Sequence, residues 1–381
     1  MKKLLALLLT FVVVLGLVAC GGSKQPAESK AGDAAETKAA EAKSGDAKAL
    51  AAEGDLNVAV FYYDFADAYI ATVRNEMDKM LEEAGIKYTN YDAAGSQPTQ
   101  TDAVKTAITS GANLLIVNIV ETAAIDAAQG VADAAKEAGI PVIFFNREID
   151  SSVIQSYEKA AFVGTDAPEA GHMQGEMIGK YLLDHYKDID LNGDGTISYI
   201  MLKGQEGNPE AEARTQFAVE DANKLLTDAG KSELAYYDAN AATKYLVDPN
   251  GKWSAQAGQD YMTTALSTFT EDNGNMIELV IANNDDMALG ALAALQNNGY
   301  NKEGGKYIPV FGVDATETAV GKINSGEMMG SIKQDNVGMA STIMALVKNI
   351  AKGEDIMANT DSFNVDADVA KIRVPYSIVT K

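Results

Sequence analysis

The sequence predicts an α/β fold of two doubly wound, parallel-sheet domains joined by more than one crossing of the chain. Three observations lead there. Strand-length apolar runs alternate with amphipathic, helix-length stretches, the pattern of parallel sheets flanked by helices. That plan runs twice, once over residues 56–164 and again over residues 198–333. The chain has 381 residues. With a leader and a polar tether set aside, the rest is too long for one ordinary core and suits two domains of roughly 100–200 residues each.

The leader comes first. Lys2 and Lys3 precede an apolar run over residues 4–19, about the length of a signal-peptide core and short for a membrane span. The run ends Leu17-Val18-Ala19-Cys20-Gly21-Gly22. Small residues before a cysteine resemble the bacterial lipobox, in which Cys20 becomes the lipidated N-terminus after cleavage. The chain's only cysteine stands at that place. Residues 20–54 follow as a tether. Glu28, Asp33, Glu36, Glu41, Asp46 and Glu53 alternate with Lys24, Lys30, Lys38, Lys43 and Lys48, with almost no large apolar residue between them. Such a segment cannot bury a core. The expected address is the extracytoplasmic face of the cell membrane, held by a lipid anchor. No second apolar run of spanning length follows.

In the body, strands are expected over 56–62, 86–91, 114–118, 141–146 and 161–164, then over 198–203, 234–238, 278–282, 309–313 and 330–333. Right-handed crossovers place the intervening helices on both sheet faces. Ligands of such sheets sit beyond the carboxyl ends of the strands. The residues falling there are Asp67 and Tyr69; Asn146 and Arg147; Asn208, Glu210 and Arg214; Asn283, Asn284, Asp285 and Asp286; Asp314; and Gln334 and Asp335. Nearly all are planar hydrogen-bonding side chains. Carboxylates, amides and an arginine fork match the neighbouring hydroxyls of a sugar. Tyr69 and the sole tryptophan, Trp253, are candidates to lie on its apolar face. Taken singly, an Asn or Asp after a strand is as well explained as a turn or helix cap, so the case rests on the set.

Composition removes other functions. The formal net charge is −23, which repels phosphate backbones and sets nucleic acid aside as a partner. One cysteine and two histidines leave no zinc finger, disulfide framework or Cys–His nucleophile. A Ser-His-Asp hydrolase would have to use His172 or His185. Neither a G-x-G-x-x-G after the first strand nor a G-x-x-x-x-G-K-[ST] occurs, so no phosphate cradle is signalled.

Five segments occur in order: Val142-Ile143-Phe144-Phe145-Asn146-Arg147-Glu148, Val163-Gly164-Thr165-Asp166, Leu202-Lys203-Gly204 with Asn208-Pro209-Glu210-Ala211-Glu212-Ala213-Arg214, Val280-Ile281-Ala282-Asn283-Asn284-Asp285, and Pro309-Val310-Phe311-Gly312-Val313-Asp314-Ala315. Together they resemble the bacterial galactose/glucose-binding proteins, the substrate-capturing components of sugar ABC transporters, over roughly residues 55–376. The resemblance implies a type I periplasmic-binding-protein fold that is no enzyme and holds a monosaccharide between its domains. The domains implied are 55–165 plus about 334–366, and 166–333 plus about 367–381. Asp67 and Asn146 would bind hydroxyls from the first domain, and Glu210, Arg214, Asn284 and Asp314 from the second. Arg214 would aim at the ring oxygen and anomeric hydroxyl, and Tyr69 and Trp253 would sandwich the ring. Three positions depart from the family pattern. Asn208 replaces a histidine, Glu210 an aspartate and Gln334 an asparagine, so galactose against glucose stays open. Trp253 follows an insertion around residues 244–252.

One further motif carries chemistry. Asp190, Asn192, Asp194, Gly195, Thr196 and Ser198 have the spacing of positions 1, 3, 5, 6, 7 and 9 of an EF-hand calcium loop. Position 12 is Met201 rather than glutamate. In the resembled family a distant glutamate supplies that ligand, and Glu278 stands at the matching place. A structural calcium ion is therefore expected. The expected partners are a monosaccharide, an ABC permease and the membrane through its lipid, with the chain itself a monomer. A sensor passing sugar to a receptor remains the alternative, and a kinase or dehydrogenase is disfavoured by the export signal and the missing phosphate loop.

Overall fold

The computed structural model describes residues 56–381. Cys20, the leader and the tether lie outside the described residues.

The first lobe begins β1 (Asn57–Tyr62), α1 (Ala68–Glu83), β2 (Lys87–Asp92), α2 (Gln97–Thr109), β3 (Leu114–Val117), α3 (Ile125–Ala138), β4 (Val142–Asn146), α4 (Ser151–Gln155) and β5 (Ala160–Gly164). The chain then crosses and builds the second lobe. Its elements are α5 (Ala167–Ile189), β6 (Ser198–Lys203), α6 (Pro209–Asp228), β7 (Ala235–Tyr236), β8 (Leu246–Val247), α7 (Ala255–Leu266), β9 (Leu279–Ala282), α8 (Asp285–Asn297), β10 (Val310–Asp314), α9 (Glu317–Ser325) and β11 (Gly330–Lys333). It crosses back for α10 (Asn336–Ala351), β12 (Asn364–Val365) and β13 (Lys371–Arg373), and crosses again to end in β14 (Ser377–Thr380).

Each lobe is a seven-stranded sheet, ordered β12-β13-β5-β4-β3-β1-β2 in the first lobe; in the second, β14-β11-β10-β9-β6-β7 carries β8 paired to β6. Numbered by appearance within its lobe, with the off-path β8 left out, each central run reads 2-1-3-4-5, so the expected doubly wound architecture occurs twice. Only β12 with β13 and β14 with β11 pair antiparallel. Strand alternation explains the layers. Val58, Val60 and Tyr62 enter one core beneath α1 and α10, whereas Ala59 and Phe61 enter another beneath α2 and α3. In the second lobe Ile200 and Leu202 face α7 and α8, and Tyr199 and Met201 face α5 and α6. Both faces are covered, which is why the strands read as continuous apolar runs.

The crossings lie at 165–166, 334–335 and 374–376. The third corrects the boundary placed near 366. Lys371, Ile372 and Arg373 pair in parallel with Phe162, Val163 and Gly164, which keeps the chain in the first lobe through β13. A strand of three residues is too short to show periodicity. For the same reason β8 and β12, of two residues each, are absent from the sequence reading.

Helices α5 and α6 pack unusually closely. Gly171, Gly175 and Gly179 recur at intervals of four on one face of α5. A Cβ at these positions would lie 2.5 Å from the Ala213 carbonyl oxygen, 2.6 Å from the Phe217 carbonyl oxygen and 2.7 Å from Leu225 Cδ1. Gly175→Ala gains up to about 1 kcal/mol of helix propensity. Overpacking against unyielding backbone costs roughly 1–3 kcal/mol, so the net expected effect is a loss of about 1–2 kcal/mol, read as a lower urea midpoint at unchanged slope.

Candidate functional site

All ten residues expected to meet a sugar line a single cleft between the carboxyl edges of the two sheets, together with Tyr63, Ile70 and Arg147. The location follows from the fold, because loops leaving parallel strands emerge on the same edge.

Three of the ten are helix caps as well as cleft residues. Asp67 Oδ1 accepts from the Ile70 N–H at 2.7 Å, Asn208 Oδ1 from the Ala211 N–H at 2.9 Å and Asn284 Oδ1 from the Met287 N–H at 3.0 Å. Helices α1, α6 and α8 start at the cleft, so their caps face the ligand space. The capping and the binding readings of these residues are therefore compatible. The remaining donors are also engaged. Asn208 Nδ2 donates to Thr122 Oγ1 of the other lobe at 3.2 Å, and Asn284 Nδ2 to the Trp253 carbonyl at 3.1 Å.

From the first lobe, Asp67 Oδ2 accepts from the Tyr63 hydroxyl at 2.5 Å. The Tyr63 ring also carries the Arg147 guanidinium 4.1 Å from its centroid. Asn146 has a φ of 66°, a left-handed conformation that asparagine tolerates. Its Oδ1 accepts from Asn118 Nδ2 at 3.2 Å and its Nδ2 donates to Gln334 Oε1 at 3.1 Å. Gln334, in the second crossing, passes the chain on to Asp314 Oδ1 at 3.0 Å. Asp314 in turn sits at φ 113° and Trp253 at φ 58°. Three cleft residues in sparsely populated backbone regions are strain concentrated where a ligand is handled.

From the second lobe, Arg214 is only 3% exposed. Its two terminal nitrogens donate to the Asn283 carbonyl at 2.8 Å and the Tyr376 hydroxyl at 3.0 Å. The Tyr376 hydroxyl also bonds Thr165 Oγ1 at 2.7 Å, which ties the guanidinium to two of the crossings. Glu210 Oε1 accepts from the Glu148 N–H of the other lobe at 2.7 Å. Trp253 packs on Gly204, where a Cβ would fall 2.0 Å from the indole, so only glycine admits the ring. Tyr69 is buried, its hydroxyl 3.8 Å from Met339 Sδ.

Four buried polar atoms of this cleft have no protein partner: Glu210 Oε2, Arg214 Nε, Arg147 Nε and Trp253 Nε1. Such atoms are costly to leave unpaired. Tyr63 and Ile70 carried no signal in the sequence, since their roles come from neighbours in space. Arg147 was visible as a post-strand residue without an assigned partner.

Neither histidine enters the cleft. His172 is exposed, stacks on Phe217 and pairs with Asp221 at 2.6 Å, and His185 stacks on Tyr181. A hydrolase triad is not assembled there.

The chemistry of the calcium-like loop fits a hard cation, since its side chains offer oxygen throughout. Glu278, fully buried, reaches the loop through its carboxylate. Its Oε1 accepts from Leu191 N–H at 2.7 Å and Asn192 N–H at 3.2 Å, and its Oε2 from Ser198 N–H at 3.0 Å. Asp194 Oδ1 accepts from Thr196 N–H at 2.8 Å, and Asp190 Oδ2 from Gly195 N–H at 3.0 Å. Asp190 Oδ1 is buried without a partner. Among the described residues no three acidic, histidine or cysteine side chains converge into a preformed metal cluster.

A family model for the periplasmic binding protein domain matches residues 58–355. The chain belongs to the periplasmic binding protein family. The D-galactose/methyl-galactoside binding periplasmic protein of Haemophilus influenzae is 34% identical over 333 residues, covering 87% of this chain and 91% of that protein. A putative rhizopine-binding protein of Rhizobium meliloti is 28% identical over 83% of this chain and 87% of its own length. In solved structures the fold recurs in an ABC transporter solute-binding protein of Bacillus halodurans with bound myo-inositol, at 23% identity and a TM-score of 0.65, covering 86% of this chain and 95% of that one. Members of this family are solute-binding proteins for sugar transport and not enzymes. Among the described residues no helix is long and apolar enough to cross a membrane.

Acidic groups at the cleft are held protonated to unusually high pH. Asp285 accepts from Ser331 Oγ and from the Thr316 N–H, each at 2.7 Å, and burial pushes its carboxyl up to about 7. Asp286 accepts the Ala68 N–H across the cleft, and burial, then the Asp67 charge, push it up to about 6. Burial also raises Asp67 and Glu210, and raises Asp314 strongly. Ordinary carboxylates lose their protons around pH 4, so the folded chain binds more protons than the unfolded chain between about pH 4 and pH 7. Stability therefore falls as pH rises through that window. The urea midpoint is expected to be higher at pH 5 than at pH 7.5, and Asp286→Asn to flatten the slope between about pH 4 and pH 6. An unchanged slope in that variant would remove Asp286 from the account.

Proposed function

We propose that the protein is a lipid-anchored, extracytoplasmic binding protein that captures galactose or glucose in the cleft and delivers it to an ABC permease. The observation that carries this reading is the set of partnerless buried atoms, Glu210 Oε2, Arg214 Nε, Arg147 Nε and Trp253 Nε1, inside a cleft lined by carboxylates, amides and aromatic rings. One acceptor and three donors on fixed side chains suit the paired donor and acceptor capacity of neighbouring hydroxyls. Asp67, Asn146 and Tyr69 contribute from the first lobe, Asn208, Glu210, Arg214, Trp253, Asn284 and Asp314 from the second, with Gln334 at the crossing. Ligand contacts from both lobes favour the closed form, and that differential affinity drives closure. The galactose-binding relative supports the choice of hexose. A solved neighbour from Clostridium phytofermentans with bound β-D-glucose, at 22% identity and a TM-score of 0.64, shares the fold.

Thermal unfolding against D-galactose, D-glucose, D-ribose, L-arabinose, D-xylose and myo-inositol tests the reading. A ligand at about a hundred times its Kd adds roughly 2.7 kcal/mol, several degrees in Tm. Galactose or glucose is expected to give the largest shift. A shift with myo-inositol or a pentose alone would keep the fold and reject the hexose. Arg214→Ala is expected to weaken binding at least about thirtyfold, because truncating a buried, hydrogen-bonded charge costs about 2 kcal/mol or more. Arg214→Lys separates lost fork geometry from lost folding.

Calcium is part of the same proposal. Asp190, Asn192, Asp194, the Thr196 carbonyl, Ser198 and Glu278 would hold it, and its role would be to clip the loop after α5 to the second lobe. The support is the buried, partnerless Asp190 Oδ1 in a loop whose expected ligand positions each carry an oxygen. Calcium is expected to raise Tm and a chelator to lower it, with Glu278→Gln abolishing the difference.

A further inference from the structure

Beyond the ligand contacts, the mouth of the cleft is bridged by an ion pair between the lobes. Lys252 Nζ of the second lobe lies 2.9 Å from Asp64 Oδ2 of the first, and 3.4 Å from the Ala94 carbonyl oxygen. Asp64 follows β1 next to the cleft residue Tyr63, and Lys252 precedes the cleft residue Trp253. The pair spans the space from the cleft wall to solvent, since Asp64 is 5% exposed while 45% of the Lys252 side chain is exposed.

Both sides are prepared for this contact. Asp248, itself buried, clips the turn that presents the lysine. Its Oδ1 accepts from the Asn250 N–H at 2.8 Å, and its Oδ2 from the Ser254 N–H at 2.9 Å and hydroxyl at 2.6 Å. Opposite, Asp64 Oδ1 accepts from the Ala66 N–H at 2.9 Å, which leaves Oδ2 aimed at the lysine. Gly95 supplies the room, since a Cβ there would stand 3.3 Å from Lys252 Cε and 3.8 Å from Asp64 Oδ2. The pair links residues 188 apart in sequence and on different lobes, so opening the cleft must break it. Arg147 with Gln205 and Asn208 with Thr122 bridge the same rim.

We propose that Lys252 and Asp64 are a latch that stabilises the closed lobes independently of the ligand and so sets how long a bound sugar is retained; the retention half rests on the sugar reading above, the closure half does not. A half-exposed pair is worth a factor of about five or less and is screened by salt. The effect on a bound sugar shows in dissociation, because an enclosed ligand can leave only when the pair breaks.

The test has two arms. In the first, spin labels, one on each lobe of the sugar-free full chain with Cys20→Ser, report the inter-lobe distance. Lys252→Met and Asp64→Asn are each expected to move population from the short to the long distance. The double variant should move no further than either single, and the charge-swapped Asp64→Lys/Lys252→Asp chain should recover the short distance. High salt should open the wild type and leave the single variants unchanged. In the second arm, D-galactose release is followed by the fluorescence of Trp253, with a rate about fivefold higher in each single variant. Single variants that keep the wild-type distances, or a double variant that opens by the sum of the singles, would overturn the latch. Failure of D-galactose to bind the wild type would overturn the sugar reading and leave the distance arm to decide the latch alone.

Discussion

A guanidinium buried between two sheets must be surrounded by oxygen, and much of this molecule is arranged to do that for Arg214. Its terminal nitrogens are taken by the Asn283 carbonyl and the Tyr376 hydroxyl. Burial works against its charge, but Tyr376 first, then Asp314 and Glu210, outweigh that and hold its proton more firmly. Asp314 is itself buried, and Arg214 is the largest influence drawing its carboxyl back down. The spare Nε then faces the cleft as a donor already oriented before any ligand arrives. Because Tyr376 stands in the third crossing and its other partner, Thr165, in the first, the orientation of this donor is tied to the hinge.

The cations of β13 extend that coupling. Lys371 and Arg373 both grip Glu148, with Lys371 Nζ 2.5 Å from Oε1 and Arg373 Nη1 2.5 Å from Oε2. Glu148 follows Asn146 and Arg147, and its N–H donates to Glu210 across the cleft. The hinge strand, the loop after β4 and a carboxylate of the second lobe thus form one polar network. The pairs within the first lobe stiffen one another, whereas the bond from the Glu148 N–H to Glu210 is one that opening of the lobes must break.

Much of this was legible beforehand because parallel sheets make strand ends informative. Asp67, Asn146, Glu210, Arg214, Asn284 and Asp314 could be placed on one edge from their positions after apolar runs alone. Their capping hydrogen bonds do not compete with that placement. What stayed hidden were short or irregular pieces. β8, β12 and β13 are two or three residues long, and with β13 unread the third crossing was placed too early, near residue 366. Tyr63 looks like one more apolar residue at the end of a strand until its hydroxyl is found on Asp67 and its ring beneath Arg147.

By itself the sequence determined the class of fold, the two lobes and the edge on which polar side chains gather. These follow from periodicity and from the fixed hand of parallel crossovers, both local properties of the chain. Only the tertiary structure decided which of those side chains keep a free hydrogen-bonding atom and which spend theirs on one another. In Asn284 and Asn208 both polar atoms already hold a protein partner, with one N–H and one lone pair left over on each, while Arg214 Nε and Glu210 Oε2 hold none. It also decided what crosses the cleft, from Lys252 with Asp64 to Asn146 with Gln334. These pairings join residues about two hundred positions apart. No spacing rule reaches that far, since they depend on how the two closed lobes face each other.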